Sequence, residues 1–472
     1  MRIKFGTDGW RGIIADDFTF DNVRYCAQSL AEHLRDLGLA SRGLVIGYDT
    51  RFASEHFASA AAEVIAANGI KTLLCPRAAP TPVISHGVLQ RKAGGAIIIT
   101  ASHNPAQWNG LKVKTEDGAS APDDVGADIE SRLMEIIARG RVERLPLAEG
   151  LSQGMIEYFD PSPAYLQHLA QLVDLESLRQ AGLKVMVDSM FGAGSGYFKK
   201  ILEGGKTEVI EINDERNPIF PGIQPEPIAR HLSKLSSIIR ENQGSVGLAT
   251  DGDADRIGIV DEQGTPLTPL QIFAILALYL LDIRGQRGAI VRTVATSIML
   301  DKLGRLYDVP VYETKVGFKY VAPKMIEGNV LIGGEESSGY GFRGHLPERD
   351  GILAGIYFLD FISKAKKTPS ELIDYLYSKV GPHHYHREDL EFPAEERERI
   401  LHHLSNKMPD HIGRSAVIRV NTMDGYHFSL ADGSWLLVRL SGTEPLLRVY
   451  SEASSQERAK ALVAEGRKLL GV

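Results

Sequence analysis

Cysteine is nearly absent from this 472-residue chain, which contains two, and aromatic residues make up only 7% of it. Two cysteines, Cys26 and Cys75, are too few for a disulfide framework and do not have the spacing of zinc ligands. Small disulfide-rich domains and small zinc-bound domains are therefore excluded. The longest apolar run, IFAILALYLLDI, is too short to cross a bilayer, and the first residues, MRIKFGTDGWRG, lack an apolar signal core. We therefore expect a soluble, cytoplasmic protein with no membrane partner.

A strong excess of charge of one sign is also missing. The chain has 53 Lys and Arg against 60 Asp and Glu, a net charge of −7, which does not predict a nucleic-acid partner. Hydrophobic residues make up 43%, as in ordinary globular proteins, and the length predicts about three domains. We expect a monomer or a homodimer that acts on a small molecule.

Helical periodicity alternates with short apolar runs along most of the chain, which predicts layered α/β architecture. In DNVRYCAQSLAEHLRDLG the apolar residues fall on one helical stripe, and Gly38 predicts the end of that helix. Apolar strands that run directly into polar loops recur without a fixed period in GLVIGYDTR, GAIIITASHN, LKVMVDSMFGAG, SVGLATDGDAD and GAIVRTVATS. This recurrence predicts several related α/β units.

Loop-like segments at 140–154, 216–227 and 381–399 indicate how the chain divides. After the third segment, the strand patterns AVIRVN and SWLLVRLS and the helical pattern SQERAKALVAEGRKLL predict a small α+β domain. We therefore predict α/β domains at 1–148, 149–250 and 251–375, followed by a C-terminal domain at 376–472.

The segment IIITASHNPAQWNGLKV, residues 97–113, combines an apolar strand with a polar turn. Ligands of open α/β sheets bind beyond the carboxyl ends of the strands, and Ser102 lies at that position. Ser102 could act as a nucleophile, with His103 and Lys112 as neighbours for proton transfer or phosphate contact. The alternative is that Ser102, Asn104 and Pro105 only form a turn.

The segment ATDGDADRIGIV places Asp251, Asp253 and Asp255 at alternate positions, so an extended backbone would turn all three carboxylates to one side. Three adjacent carboxylates need a cation, and a set of oxygen ligands suits Mg²⁺. The alternatives are an EF-hand-like calcium loop and a solvated acidic turn. Glu262 stands at the twelfth position of an EF-hand loop, but strands rather than helices flank it.

Two further segments are rich in polar groups. GGEESSGYGFRGHLPERDG, residues 333–351, offers carboxylates and hydroxyls suited to sugar hydroxyl groups, although many surface loops share this composition. These residues are Glu335, Glu336, Ser337, Ser338 and His345. RLSGTEPLLRVY offers hydroxyls and guanidinium groups that suit a phosphate, with a bulged hairpin turn as the alternative. These residues are Arg439, Ser441, Gly442, Thr443 and Arg448.

The chain as a whole resembles the α-D-phosphohexomutases. FGTDGWRG (5–12), TASHNP (100–105), DGDADR (251–256), GEESSG (334–339) and SGTEP (441–445) occur in the order of that superfamily and at roughly its spacing. The resemblance implies a heart-shaped protein with three related α/β domains and a smaller C-terminal domain. It also implies an active site in the central cleft.

The resemblance further implies roles for individual residues. Ser102 would carry a phosphoryl group and, with Asp251, Asp253 and Asp255, would bind Mg²⁺, while Arg256 would lie nearby. Arg11, His103 and Lys112 would be catalytic neighbours, and Glu335 and Ser337 would contact the sugar. The non-reacting phosphate would be held by Arg439, Ser441, Gly442, Thr443 and Arg448. One departure is Arg349 in PERDG, where some phosphoglucomutases have lysine.

The activity implied is phosphohexomutase activity between glucose 1-phosphate and glucose 6-phosphate, through a hexose 1,6-bisphosphate intermediate that also serves as activator. The sugar loop GEESSGYGF resembles the GEES of phosphoglucomutases more than the GEMSGH of dual glucose/mannose enzymes or the GEQSGH of phosphoglucosamine mutases. We predict glucose phosphates as substrates, with some activity on mannose phosphates. The alternatives are a phosphoglucosamine mutase, a phosphosugar phosphatase and a non-catalytic sugar-phosphate sensor.

Overall fold

A computed structural model describes residues 3–6, 8–392, 408–440 and 446–470 of the chain. The fold contains four successive β-sheets: three mixed sheets packed with helices and one antiparallel sheet near the C-terminus. This confirms the predicted plan of three α/β units and a smaller C-terminal unit. Among the described helices, none has the length and hydropathy of a membrane span.

The first sheet has six strands in the order β1-β5-β4-β2-β3-β6. Its strands are β1 (Trp10–Ile13), β2 (Leu44–Tyr48), β3 (Thr72–Leu74), β4 (Ala96–Ile99), β5 (Trp108–Lys114) and β6 (Ile156–Tyr158). β2, β3, β4 and β6 are parallel, β5 runs antiparallel to β4, and the edge strand β1 runs antiparallel to β5. β2 and β4 are buried along their whole length, which explains their continuous apolar sequences.

The second and third sheets have four strands each. The second contains β7 (Lys184–Asp188), β8 (Glu208–Ile212), β9 (Val246–Thr250) and β10 (Ile257–Val260). The third contains β11 (Ala289–Thr293), β12 (Val311–Thr314), β13 (Val330–Gly334) and β14 (Tyr340–Phe342). In each, three strands are parallel and the last runs antiparallel at the edge.

The three mixed sheets share one strand order. β5-β4-β2-β3, β10-β9-β7-β8 and β14-β13-β11-β12 follow the same pattern. In each sheet a parallel strand passes through a polar loop into the antiparallel strand, and these loops are residues 100–107, 251–256 and 335–339. The motifs TASHNP, DGDADR and GEESSG therefore occupy equivalent positions in three related units.

Helices cover these sheets. The described α-helices are α1 (Phe20–Asp36), α2 (Ser54–Ala67), α3 (Thr81–Arg91), α4 (Asp123–Arg139), α5 (Leu147–Ser152), α6 (Ser162–Leu172), α7 (Leu175–Gln180), α8 (Tyr197–Leu202), α9 (Ser233–Asn242), α10 (Pro269–Leu278), α11 (Met299–Leu306), α12 (Phe318–Glu327), α13 (Gly351–Ala365), α14 (Pro369–Val380) and α15 (Gln456–Leu470). Short 3₁₀ turns lie at Ala40–Arg42 and Ala229–His231, and a π-turn at Tyr279–Ile283 continues α10.

α1 shows why these sequences form helices where they do. The Thr19 side chain caps the first turn by accepting a hydrogen bond from the Asn22 backbone N–H. The predicted apolar stripe is buried, and its members are Val23, Ala27, Leu30, Ala31 and Leu34. The helix ends at Asp36, and Gly38 follows in a left-handed conformation with φ +72°.

The fourth sheet is antiparallel, in the order β15-β20-β19-β18-β17-β16. Its strands are β15 (His384–Glu391), β16 (His411–Ile412), β17 (Ser415–Asn421), β18 (Tyr426–Leu430), β19 (Trp435–Leu440) and β20 (Leu446–Ala453). α15 packs on this sheet and buries Leu462 and Val463 against Leu436 and Val449. This cluster is separate from the largest apolar core, which runs through the first three units.

The predicted domain limits do not follow these sheets. Position 148/149 falls inside α5, position 250/251 separates the paired strands β9 and β10, and position 375/376 falls inside α14. Residues 384–391, in a segment predicted as a boundary, form edge strand β15 because they pair with β20. We propose divisions between β6 and α6, between β10 and α10, and between α14 and β15, which keep each sheet whole.

Candidate active site

Ser102 lies on a tight turn after β4. It is 1% exposed, and its backbone is left-handed with φ +51°, an unusual conformation for a residue with a side chain. Its N–H donates to Thr100 Oγ1 at 2.8 Å, and its hydroxyl donates to Asp251 Oδ2 at 2.7 Å. The turn thus directs the serine hydroxyl from the first unit to the acidic loop of the second.

The three aspartates converge, although not for the reason predicted. Residues 251–256 form a turn rather than an extended segment, with Ala254 at φ +56°. Asp251, Asp253 and Asp255 are fully buried, and each offers a carboxylate oxygen within 4.8 Å of the others. The strands β9 and β10 on either side exclude the EF-hand alternative, because an EF-hand loop joins two helices.

The chemistry of this acidic loop fits a hard cation. Burial, followed by the charges of Asp253 and Asp255, raises the pKa of Asp251 well above its usual value. Among the described residues, Oδ1 of Asp253 and Oδ1 of Asp255 are buried without a hydrogen-bond partner. A cluster of carboxylate oxygens with such unsatisfied acceptors suits Mg²⁺.

Lys112, on β5, contributes positive charge to the same site. Its Nζ lies 2.8 Å from Asp253 Oδ2, 3.0 Å from Asp255 Oδ2 and 2.7 Å from Asp8 Oδ2. Burial alone would lower the pKa of Lys112, but these carboxylates outweigh it and raise that pKa above its usual value. The same contact with Lys112 outweighs burial at Asp253 and lowers the pKa of that carboxyl.

Arg349 joins the turn after β13, which carries Glu335, to the acidic loop. Its Nη2 lies 2.6 Å from Asp8 Oδ2 and 2.8 Å from Asp255 Oδ2, and its Nη1 lies 3.4 Å from Glu335 Oε2. Burial raises the pKa of Glu335 to about 7, although Arg349 opposes the shift. The third unit is thereby linked to the first and second at one point.

The predicted neighbours of Ser102 also lie at this site. The ring nitrogen Nδ1 of His103 is 3.5 Å from Ser102 Oγ, and burial followed by nearby cations, first Arg256, lowers the pKa of His103 well below its usual value. Arg11 Nη1 donates to Asn104 Oδ1 at 2.5 Å. Arg256 Nε lies 4.0 Å from Asp251 Oδ2 and 3.8 Å from Asp255 Oδ1.

The predicted phosphate-binding arginines lie on the fourth sheet. Arg439 on β19 and Arg448 on β20 are direct cross-strand partners. Arg439 Nε donates to Asp424 Oδ2 at 2.9 Å, and Arg448 Nε lies 3.8 Å from Asp389 Oδ2. Two like charges directly opposite one another repel, which favours an anion between them. Ser441, Gly442 and Thr443 of the same prediction lie outside the described residues.

His345 does not lie with the other polar groups of its loop. It is buried with Nε2 2.7 Å from Asp350 Oδ2, and its ring stacks on that of His168 at 5.2 Å. Its segment folds away from the turn that holds Glu335, because β14 separates the two. Ser337 stays half-buried on the turn beside Glu335.

Sequence reasoning missed part of this charge network. Asp8, Lys114 and Glu348 belong to it: Lys114 Nζ lies 2.5 Å from Glu348 Oε2, and Ser120 Oγ lies within hydrogen-bond distance of both Glu348 Oε2 and Asp8 Oδ1. Lys114 could have been predicted from Lys112, because the two lysines alternate on one buried strand and alternate residues of a strand face the same side. Asp8 and Glu348 offered no such signal, since their partners are distant in sequence.

Comparison with known proteins agrees with this architecture. Four domains described as phosphoglucomutase/phosphomannomutase match in order: alpha/beta/alpha domain I at 2–139, domain II at 163–264, domain III at 268–380 and the C-terminal domain at 400–469. Together they cover most of the chain and, apart from the edge strands β6 and β15, the four sheets.

Individual relatives match along nearly their whole length. A phosphoglucomutase/phosphomannomutase of Thermococcus kodakarensis is 31% identical, with 99% of this chain and 98% of the relative aligned. A protein of Methanothermobacter thermautotrophicus named a probable phosphoglucosamine mutase is also 31% identical, with 97% and 95% aligned. A crystal structure from Thermus thermophilus with a provisional phosphomannomutase name superposes with a TM-score of 0.86 at 34% identity, with both chains fully covered. With the four domains in order and full-length relatives above 30% identity, the chain belongs to the phosphoglucomutase/phosphomannomutase family, within the α-D-phosphohexomutases.

Proposed function

We propose that this phosphohexomutase interconverts glucose 1-phosphate and glucose 6-phosphate and acts more slowly on mannose phosphates. The supporting observation is the buried hydroxyl of Ser102, held 2.7 Å from Asp251 in a cluster of three aspartates. A serine with this environment suits a phosphoryl carrier, because a phosphoester there would lie beside a cation site and several fixed cations.

In the proposed reaction Ser102 begins as a phosphoserine. The phosphoryl group leaves Oγ of Ser102 for the free hydroxyl of a hexose monophosphate, so one O–P bond breaks and another forms. The sugar hydroxyl loses a proton, and Oγ gains one. The resulting hexose 1,6-bisphosphate turns around in the cleft and returns its other phosphoryl group to Ser102, which completes the isomerisation.

The proton transfers need a group that is neutral near pH 7. Lys112 is a poor candidate for the base, because three carboxylates lie within 3.0 Å of its ammonium group and favour its charged form. His103 is a better one, because its lowered pKa leaves the imidazole uncharged, and it lies 3.5 Å from Ser102 Oγ. We therefore assign proton transfer to His103 and charge stabilisation to Lys112.

The metal would be held by Asp251, Asp253 and Asp255 together with the phosphate on Ser102. When bound, Mg²⁺ neutralises charge on the transferring phosphoryl group. Arg11, which is half-buried, and Arg256, which is buried, add fixed positive charge from the protein where little water competes for the same oxygens.

The remaining contacts would hold the rest of the substrate. Glu335 and Ser337 suit the hydroxyls at positions 3 and 4 of the sugar, which glucose, mannose and glucosamine share. Arg439 and Arg448, with Ser441, Gly442 and Thr443, suit the phosphate that does not react. Because either end of the bisphosphate must fit either place, these contacts recognise phosphate and shared hydroxyls rather than one end of the sugar.

The choice of glucose rests on the loop GEESSGYGF. Phosphoglucosamine mutase activity is the second candidate, because relatives at the same identity carry names of both kinds. Because Glu335 and Ser337 would hold the hydroxyls at positions 3 and 4, they would not distinguish position 2, where the three sugars differ.

A substrate panel tests the proposal. Glucose 1-phosphate, mannose 1-phosphate and glucosamine 1-phosphate are each supplied with Mg²⁺ and a trace of the matching hexose 1,6-bisphosphate, and kcat/KM is measured. We expect the highest value for glucose, a lower one for mannose and the lowest for glucosamine. A preference for glucosamine would change the substrate, release of free phosphate alone would indicate a phosphatase, and no reaction would indicate a sensor.

A further inference from the structure

We propose that Arg51 is a positioning residue that holds the turn carrying Ser102 in one conformation throughout the reaction. This inference rests on the proposed function of Ser102. Arg51 lies just beyond β2, in the polar stretch Asp49–Thr50–Arg51, and its side chain is completely buried. Its guanidinium group has no substrate-facing surface, so it would act only through the turn.

The guanidinium group binds backbone carbonyls along the whole turn. Nη2 donates to the carbonyl oxygens of Ser102 and Asn104, both at 2.6 Å. Nη1 donates to those of Pro105 at 2.9 Å and Trp108 at 3.0 Å. Three carbonyls of the turn and that of the first residue of β5 are therefore held by one rigid planar group, a geometry that lysine cannot reproduce.

A second set of contacts fixes the arginine itself. Nε lies 3.2 Å from Asp49 Oδ2, and that carboxylate also accepts hydrogen bonds from Thr100 Oγ1 at 2.6 Å and, through Oδ1, from Ser54 Oγ at 3.0 Å. The ring of Phe220, from the second unit, lies 5.0 Å from the guanidinium carbon. The buried charge is thus paired and stacked, which leaves little freedom for the side chain to move.

The turn needs such support because its conformation is unfavourable. Ser102 has φ +51°, in the left-handed region that side chains disfavour. Its carbonyl also lies against the acidic loop: a Cβ added to Gly252 would lie 2.4 Å from Ser102 O. Arg51 on one side and Gly252 on the other therefore fix this carbonyl, and with it the 2.7 Å contact between Ser102 Oγ and Asp251.

All four hydrogen bonds from the guanidinium group of Arg51 go to main-chain oxygens, not to the side chain that gains and loses phosphate. They do not depend on whether Ser102 is a hydroxyl or a phosphoester. Arg51 can therefore hold the turn equally in both halves of the cycle, while charge next to it changes. A small displacement of a reacting oxygen lowers the transfer rate strongly without weakening distal substrate contacts.

The test uses the full-length variant Arg51→Lys, which keeps the positive charge but loses the planar guanidinium group with its several N–H donors. With glucose 1-phosphate, Mg²⁺ and the bisphosphate, we expect kcat to fall about 100-fold and KM to change less than about threefold. Arg51→Ala should show a similar loss that added guanidinium ion partly restores. Arg42→Lys is the matched control, because Arg42 is exposed and donates to one backbone carbonyl, and it should behave like wild type.

Several outcomes would overturn the inference: a wild-type kcat in Arg51→Lys, or a rise in KM with kcat unchanged. If Arg51→Lys does not fold, Phe220→Leu removes the ring beneath the guanidinium group instead. It should lower kcat by about threefold to tenfold at constant KM. An unchanged kcat in this variant would also refute the positioning role.

Transfer of radioactive phosphate from labelled glucose 1,6-bisphosphate separates this inference from the proposed function. Labelling of wild type on Ser102, with slow labelling of Arg51→Lys, supports both. Labelling of both proteins at the same rate refutes only the role of Arg51. Absence of label from wild-type Ser102 refutes the phosphoserine mechanism and the positioning role together.

Discussion

The hydroxyl of Ser102 donates a 2.7 Å hydrogen bond to Oδ2 of Asp251, a residue 149 positions away in the sequence. The two residues follow equivalent strands, β4 and β9, of the first and second sheets. Their contact brings the loops of two related units together at one point. Each residue can therefore be tested for a separate part of the proposed chemistry.

Replacing Ser102 with alanine removes the proposed phosphoryl carrier. We expect Ser102→Ala to lower mutase kcat by about three orders of magnitude or more, because no other hydroxyl takes its place beside Asp251 among the described residues. Coupled assay of glucose 6-phosphate formation measures this loss. Ser59→Ala, on the outer part of α2, is the control and should retain full activity. Isomerisation at the wild-type rate in Ser102→Ala would exclude the mechanism.

Replacing Asp253 with asparagine removes one carboxylate from the proposed metal site. We expect the Mg²⁺ concentration for half-maximal activity to rise at least about tenfold, because an amide oxygen binds this cation less strongly than a carboxylate. A magnesium titration of activity measures the change. Asp124→Asn is the control, because Asp124 is an exposed residue in the first turn of α4. A titration identical to that of wild type would mean that residues 251–256 are not the metal loop.

The raised pKa of Glu335 predicts that substrate affinity depends on pH. Its pKa of about 7 means that the carboxyl is protonated below pH 7 and ionised above it. The ionised form accepts stronger hydrogen bonds from sugar hydroxyls, so KM should fall as pH rises through 7. Dividing wild-type KM by that of Glu335→Gln cancels the ionisation of the substrate phosphate, whose pKa is about 6. A ratio that stays constant between about pH 6 and pH 8 would contradict this role.

Replacing Arg448 is expected to weaken binding of the phosphosugar. Arg448→Ala should raise KM for glucose 1-phosphate by about tenfold to a hundredfold, since a charged hydrogen bond to the distal phosphate is lost. A smaller loss in kcat is expected, because distal binding also orients the reacting end. Arg458→Ala serves as control, since Arg458 pairs with Asp432 on the outside of the same unit. Kinetics equal to wild type would place the phosphate elsewhere.

The fold and the two central motifs could be predicted because their signals are local. A buried strand followed by a polar turn is visible in the sequence around Ser102 and Asp251, and α1 followed from its apolar stripe and Gly38. That the three motif loops are equivalent could be recognised only from the strand order of the sheets. No fixed repeat marks it, because the segments between the strands differ in length.

The rest of the site could not be predicted because its partners are distant in sequence. Asp8 contacts Arg349, 341 residues away, and Lys114 contacts Glu348, 234 residues away. His345 was grouped with Glu335 by proximity in the chain, yet it turns toward Asp350 and His168. The predicted domain limits differ from the limits of the sheets for a similar reason, since only the pairing of β9 with β10 shows that residue 251 lies inside a sheet.

The separate apolar core of the fourth sheet has a consequence for how the molecule unfolds. The first three units share one large core, whereas the fourth contacts them through a small apolar cluster that includes Val294, Ala295, Trp435 and Tyr450 and through hydrogen bonds such as that from Ile298 N–H to Glu452 Oε1. A shared core makes parts of a protein melt together, and a small seam lets a part melt alone. Thermal denaturation should therefore proceed in two transitions, with the C-terminal unit as an independent cooperative block. Hydrogen exchange would locate one transition in β17–β19 and the other in the sheets of the first three units.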